Sequence, residues 1–272
     1  MYQPTWQPPD GVRAIVSERE GGVSLAPFAS LNLGRHVGDD ADAVAQNRLR
    51  LLNELPGAQR LIFVSQVHGT AVLDAAQVLD EASTVADALV TDQIGLGLVI
   101  LTADCLPVFF STEDGAVIGV AHAGWRGLAA GVLENTAKAM RALWRQSQSK
   151  PALQELGQRP AEPLKAPKIV ASFGPAIGPN AFEVGEEVRS AFSKIDPMAS
   201  LFFKPFAPGN VAVKPKYLAN LYGLASLRLG HADVAVTGLC TECTYLASAR
   251  FFSFRRDGVT GRQAAVIWKS KD

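Results

Sequence analysis

The chain is short of the residues that mark several common protein classes. Its 272 residues include three cysteines and four histidines, and Lys+Arg balances Asp+Glu at 26 each. Three cysteines cannot frame a disulfide scaffold and fit a reducing compartment. A formal net charge of zero, with the charges scattered, leaves no electrostatic footprint for nucleic acid or anionic lipid. No apolar run reaches the roughly 20 residues that cross a bilayer. The opening MYQPTWQPPDG has neither a basic n-region nor an apolar h-region. There is no tandem repeat and no heptad array. These absences predict a cytoplasmic protein with no nucleic-acid and no membrane partner.

Hydrophobic residues make up 48% of the chain, enough for a sizeable core. No change in composition forces a split, so a single domain over residues 1–272 is expected, with a long exposed Pro/Gln/Ser/Lys-rich loop at about 146–168. Strand patterns fall at 12–16, 61–67, 169–173, 234–238 and 264–268. Helical patterns fall at 39–55, where Asp39 or Asp40 can cap, from the 182–186 lead-in through about 195, and at 217–229, which Gly230 would end. On the 39–55 helix, Asn47 and Arg48 fall on the polar side, where a solvated arginine is expected. Strands and helices alternate but include a hairpin, which points to a mixed-sheet α/β or α+β sandwich.

Chemistry concentrates in residues 98–128, LVILTADCLPVFFSTEDGAVIGVAHAGWRGL. The stretch reads as two apolar strands joined by a turn at Glu113-Asp114-Gly115. An antiparallel pairing from Thr112 and Ala116 puts Cys105 opposite Ala123, or opposite His122 after a slip of one residue. After the second strand, the Ala-Gly-Trp-Arg-Gly run at 123–127 opens one helix continuing to Trp144, whose N-terminus, glycines and Arg126 suit an anion. Asp104 adds a carboxylate beside the thiol. His68 ends the 61–67 strand, and Asp87 and Asp92 bracket another apolar segment.

Three readings of His68, Cys105 and His122 stay open on these residues alone. They can form a three-ligand metal site suited to zinc, with a fourth position left for water or substrate. Cys105 can be a nucleophile with His122 as base and Asp104 or Asp87 as orienter. They can also be buried residues at strand ends. Copper is a second metal option, but His36, His68, His122 and His231 are the whole histidine supply. That number suffices for one mononuclear site and not for a multicopper array. Cys240 and Cys243 have metal or redox spacing without a completing pair and read as structural or incidental. Arg255, Arg256 and Arg262 suit either an anion or the pinning of a loop. Asn32, like Arg19 and Ser24, reads as turn chemistry by itself.

The segments 65–69 (SQVHG), 102–107 (TADCLP), 121–127 (AHAGWRG), 174–178 (GPAIG), 252–258 (FSFRRDG) and 260–262 (TGR) occur in this order. Together with GGVS at 21–24, LNLG at 31–34 and Asn47-Arg48, they resemble the YfiH-like family. That family is also called laccase-domain or polyphenol-oxidase-like, and is described as purine nucleoside phosphorylases. The resemblance implies a layered α/β/β/α sandwich and a zinc ion held by His68, Cys105 and His122. It further implies phosphorolysis of adenosine, inosine, guanosine and methylthioadenosine, with adenosine deamination at the same site. Asn180-Ala181 stand where the family often carries cysteine, which removes any thiol role there. On this reading Arg48, Arg126 and residues 124–127 are candidates for the phosphate, with Asn32, Arg255 and Arg256 also on the substrate side. Gln66, Asp87 and Asp104 would orient ligands. Purine nucleosides and phosphate are the expected partners of a monomer or homodimer. The rival readings are a metal-free cysteine hydrolase using Cys105 and His122, a mononuclear copper polyphenol oxidase, and a non-catalytic binding protein.

Overall fold

The computed structural model of the chain describes residues 1–148, 166–206 and 215–271. In chain order the first elements are β1 (Val12–Val16), α1 (Ala41–Asn53), β2 (Arg60–Ile62), β3 (Val72–Asp74), β4 (Ala88–Thr91), β5 (Leu96–Thr102), β6 (Leu106–Thr112) and β7 (Ile118–Ala123). Next come α2 (Trp125–Ala130), α3 (Val132–Gln148), β8 (Ile169–Phe173), β9 (Glu183–Gly185) and α4 (Glu186–Ser193). The chain ends with β10 (Phe203–Phe206), β11 (Lys216–Ala219), α5 (Leu221–His231), β12 (Val234–Gly238), α6 (Phe254–Asp257) and β13 (Gln263–Lys269).

Two mixed sheets stack face to face. One has strand order β1-β13-β5-β2 and the other β12-β8-β6-β7-β4-β3; a small antiparallel sheet, β10-β11-β9, lies apart. Side chains alternate across a strand, and the alternation defines the layers. Leu98 and Ile100 of β5 and Ala265 and Ile267 of β13 meet Leu89, Phe109, Ile118 and Val120 between the sheets. The opposite faces of β5 and β13, with Val99, Leu101, Val266 and Trp268, are covered by Leu51 of α1. Val108 and Phe110 of β6 pack outward against Leu128, Leu133 and Met140 of α2 and α3, and Leu224 of α5 joins the same cluster. The order of layers is therefore α/β/β/α, as the resemblance implies. Among the described residues, no helix is long and apolar enough to cross a membrane.

Several elements differ from the sequence reading, each for a local reason. The run expected to form one strand before the hairpin is two. β5 belongs to the four-stranded sheet and β6 to the six-stranded one, and the chain changes sheets at Asp104, whose φ is +94°. The hairpin register also differs from both options considered. Leu106 faces Ala123 and Pro107 faces His122, because Ala116 stays in the turn while Thr112 N–H donates to Val117 O. The single helix expected after residue 124 is split by Gly131, a left-handed cap at φ +101°. The strand over 61–67 stops at Ile62, leaving Ser65 a lone bridge to Val85. Tyr217 and Leu218 pair with Val184 and Glu183 in β11 rather than opening a helix, so α5 begins after the Asn220 cap and runs past Gly230. Of the loop expected at 146–168, residues 146–148 belong to α3, and 149–165 lie outside the described residues.

Candidate functional site

The buried carboxylate of Asp87 organises the site. It precedes β4 and accepts the N–H groups of Val67, His68 and Gly69 at 3.2, 2.9 and 2.6 Å. Those bonds hold the 67–69 segment in a tight curve, with His68 at φ +59°. Asp87 Oδ1 also lies 2.8 Å from His122 Nδ1, and its carbonyl accepts the His122 N–H at 2.7 Å. One residue therefore orients the backbone of one histidine and the ring of the other.

Cys105 enters from the sheet crossover and His122 from the end of β7. Cys105 Sγ is 3.8 Å from His68 Nε2, and the His68 and His122 rings are edge to face at 4.7 Å between centroids. One ligand atom from each of the three residues falls within 4.8 Å of the others, and among the described residues no other His/Cys/Asp/Glu group is placed to share an ion. Burial alone would raise the Cys105 thiol, but His122 and then His68 hold it down at about 6. Burial alone would lower His122, but Cys105 and Asp87 push it up to about 9.

The donor set fits a metal. One thiolate and two imidazoles suit zinc bonds of about 2.0–2.3 Å, and the Nδ1–carboxylate bond behind His122 is the support such ligands usually have. Gly124, the cap of α2, leaves the space: a Cβ there would lie 2.7 Å from His68 Cδ2 and 3.1 Å from Cys105 Sγ. The cluster opens into a cavity of about 740 Å³, whose wall also includes Gln66, Phe254 and Arg262.

Not every expected residue reaches this cavity. Gln66 lines it while its amide makes two bonds to the Leu101 backbone. Asp104 is spent structurally: one carboxylate oxygen accepts the Thr244 hydroxyl and the other the Arg255 N–H, both at 2.7 Å. Arg48 is buried rather than solvated. It forks onto Glu81 at 2.5 and 2.9 Å and stacks 3.6 Å from the Phe63 centroid, because α1 turns that side inward. Arg126 is exposed and stacks on Trp125. The glycine at 127 serves close packing, since a Cβ would meet Gly69 O at 2.6 Å. Arg255 donates to Glu183 O, and Arg256 donates to the carbonyls of Thr244, Tyr245 and Phe251, so both pin loops. Asn32 is buried and accepts the Arg262 N–H at 2.9 Å. Cys240 accepts from Tyr2 and Cys243 from the Gly178 N–H, in separate contacts. Arg35 and His36 line the cavity unanticipated; their only sequence signal is adjacency to the LNLG segment.

A two-sheet sandwich with a His/Cys/His cluster at the crossover between sheets places the chain in a laccase-like class. The model of the family described as multi-copper polyphenol oxidoreductase laccase matches residues 13–270, and the chain belongs to that family. Among individual relatives, it is 41% identical over 268 residues to the purine nucleoside phosphorylase of Haemophilus influenzae, covering 97% of each chain. It is 42% identical over 270 residues to the purine nucleoside phosphorylase YfiH of Escherichia coli, covering 98% of each. The crystal structure of a Neisseria meningitidis protein superposes with a TM-score of 0.81 at 39% identity, covering 98% of both chains. The multi-copper description asks for more histidine than the site contains, since His231 pairs with Asp196 elsewhere.

Proposed function

We propose that the chain is a zinc-dependent purine nucleoside phosphorylase acting on adenosine, inosine, guanosine and S-methyl-5′-thioadenosine, with adenosine deamination as a side activity. The observation that carries this reading is a three-ligand cluster, His68–Cys105–His122, open on one side to a cavity of about 740 Å³. Such a volume lies within the range of small-ligand pockets. The names of the Haemophilus and Escherichia relatives support the substrate class.

In phosphorolysis the C1′–N9 bond breaks with its electrons passing to the purine, which takes up a proton. A phosphate oxygen forms the new bond to C1′. When bound, zinc supplies Lewis-acid polarisation and makes nearby water more acidic, toward a pKa of about 7. The protein does the rest by position. Asp87 fixes both histidines, Gln66 is a rigid wall, and Phe254, 58% exposed at the rim, offers a flat apolar face to a purine. In deamination the same pocket would admit water to C6 and release ammonia.

The test is incubation of untagged protein with adenosine or inosine, with and without phosphate, beside metal analysis. Near-stoichiometric zinc, lost in Cys105→Ser, and ribose 1-phosphate formed only with phosphate are expected. Inosine formed from adenosine without phosphate reports deamination. One observation favours a second reading: Asp87 bonded to His122, with the Cys105 thiol held down by the neighbouring imidazoles, also makes the relay of a cysteine hydrolase. Protein free of metal but active would establish that reading instead and overturn ours.

A further inference from the structure

The cavity has a second wall that the ligand cluster does not explain. Arg35 and His36, on the single helical turn Arg35–Val37, and Arg262, just before β13, all line it. Arg262 is built in. Its N–H is held by Asn32, its Nη1 donates to the carbonyls of Thr260 and Gly261, and its Cγ occupies space a side chain at Gly34 would fill at 2.9 Å. Burial pulls its pKa down, and it lines the same cavity as His68, Cys105 and His122.

Among the described residues, no carboxylate forms an ion pair with Arg35, His36 or Arg262, and Arg35 makes no hydrogen bond. The carboxylate that shares the wall, Glu81, is already neutralised by the Arg48 fork. Asp104 has both oxygens engaged, and Asp80, whose carboxyl is held low chiefly by Ser83 and least by Arg35, is solvent-exposed. Two guanidinium groups thus line one cavity with neither held in an ion pair by a carboxylate among the described residues, an arrangement that favours an anion.

We propose that Arg262 and Arg35, assisted by His36, form the oxyanion subsite that holds the phosphate co-substrate opposite the His68–Cys105–His122 cluster. The proposal rests on the phosphorylase reading for the identity of the anion. Asn32 and Gly34 are positioning residues for Arg262, and Arg48 keeps the wall cationic by occupying Glu81.

The test measures binding of inorganic phosphate by calorimetry, with separate KM values for phosphate and nucleoside, on wild type, Arg262→Met, Arg262→Lys and Arg35→Met. Arg35 is exposed and unbonded, so its variant folds whatever happens to the 258–262 turn. Loss of one charged donor should raise the phosphate Kd and KM about 10- to 100-fold, with nucleoside KM within about twofold. Lysine, which keeps charge without the fork, should recover part of the loss. Wild-type-like phosphate binding and KM in both methionine variants would overturn the subsite and leave the phosphorylase reading intact. Arginine-dependent phosphate binding without phosphorolysis would keep the subsite and remove that reading; no phosphate binding by wild type would remove both. Loss of nucleoside 5′-monophosphate binding alone, with inorganic phosphate unaffected, would assign the wall to a phosphate ester and overturn the proposal.

Discussion

Four N–H groups converge on the Asp87 carboxylate, three from the backbone of residues 67–69 and one from the His122 ring. Asparagine at this position turns an amide nitrogen toward donors it cannot accept from, and strands at least one of them in a dry site. We expect Asp87→Asn to cost about 2–3 kcal/mol, seen as a Tm lower by roughly 5–10 °C. Metal affinity should fall about 10- to 100-fold, read by competition with a chelating dye. An unchanged metal affinity would show that the histidines orient themselves. Asp87 was named from the sequence as a possible orienter, since a carboxylate beginning an apolar strand stands out. Arg48 was expected on a solvated face and is buried, while Arg126 is exposed at the start of α2. The partner that buries Arg48 is Glu81, 33 positions away, while of the glycines beside Arg126, Gly127 packs on the Gly69 carbonyl and Gly124 on the His68 and Cys105 side chains.

The start of α2 shows how much an element's placement depends on one missing side chain. Gly124 caps the helix without a side-chain bond, so alanine there loses no capping partner. Its Cβ would instead press on His68 Cδ2 at 2.7 Å and Cys105 Sγ at 3.1 Å. The prediction is that Gly124→Ala keeps far-UV circular dichroism but loses most bound metal in elemental analysis. Full metal content in this variant would mean that the ligands shift freely, and that the close packing described here has no role in the site. Short, largely apolar runs, such as β1, β8 and β13, were legible as strands. The breaks were not. Gly131 sits in a continuous helical pattern, and only its φ of +101° ends α2; residues 216–219 carry the spacing of the helix that follows them and become a strand by pairing with β9 and β10.

At the scale of the whole molecule, the ligands join parts that fold as separate layers. His68 follows the four-stranded sheet, His122 ends a strand of the six-stranded sheet, and Cys105 lies where the chain passes between them. The residue types of this cluster were legible because Cys and His are scarce here. The passage between sheets was not, because residues 98–110 read as one apolar run and nothing local announces the turn at Asp104. Nor was the cationic wall, whose Asn32 and Arg262 meet from 230 positions apart. An ion at the junction should hold the two sheets together at that end. A ligand that binds only the folded chain at 100 times its Kd adds about 2.7 kcal/mol, which for a chain of this size is roughly 5–10 °C in Tm. Removing bound metal with a chelator should lower the calorimetric Tm by that amount, and metal added back should restore it. Cys105→Ser, deprived of the thiolate, should unfold at one temperature with or without chelator. If chelation strips the metal from wild type and Tm does not move, the three ligands are held by the protein alone. The ion would then act on chemistry and not on the joining of the sheets.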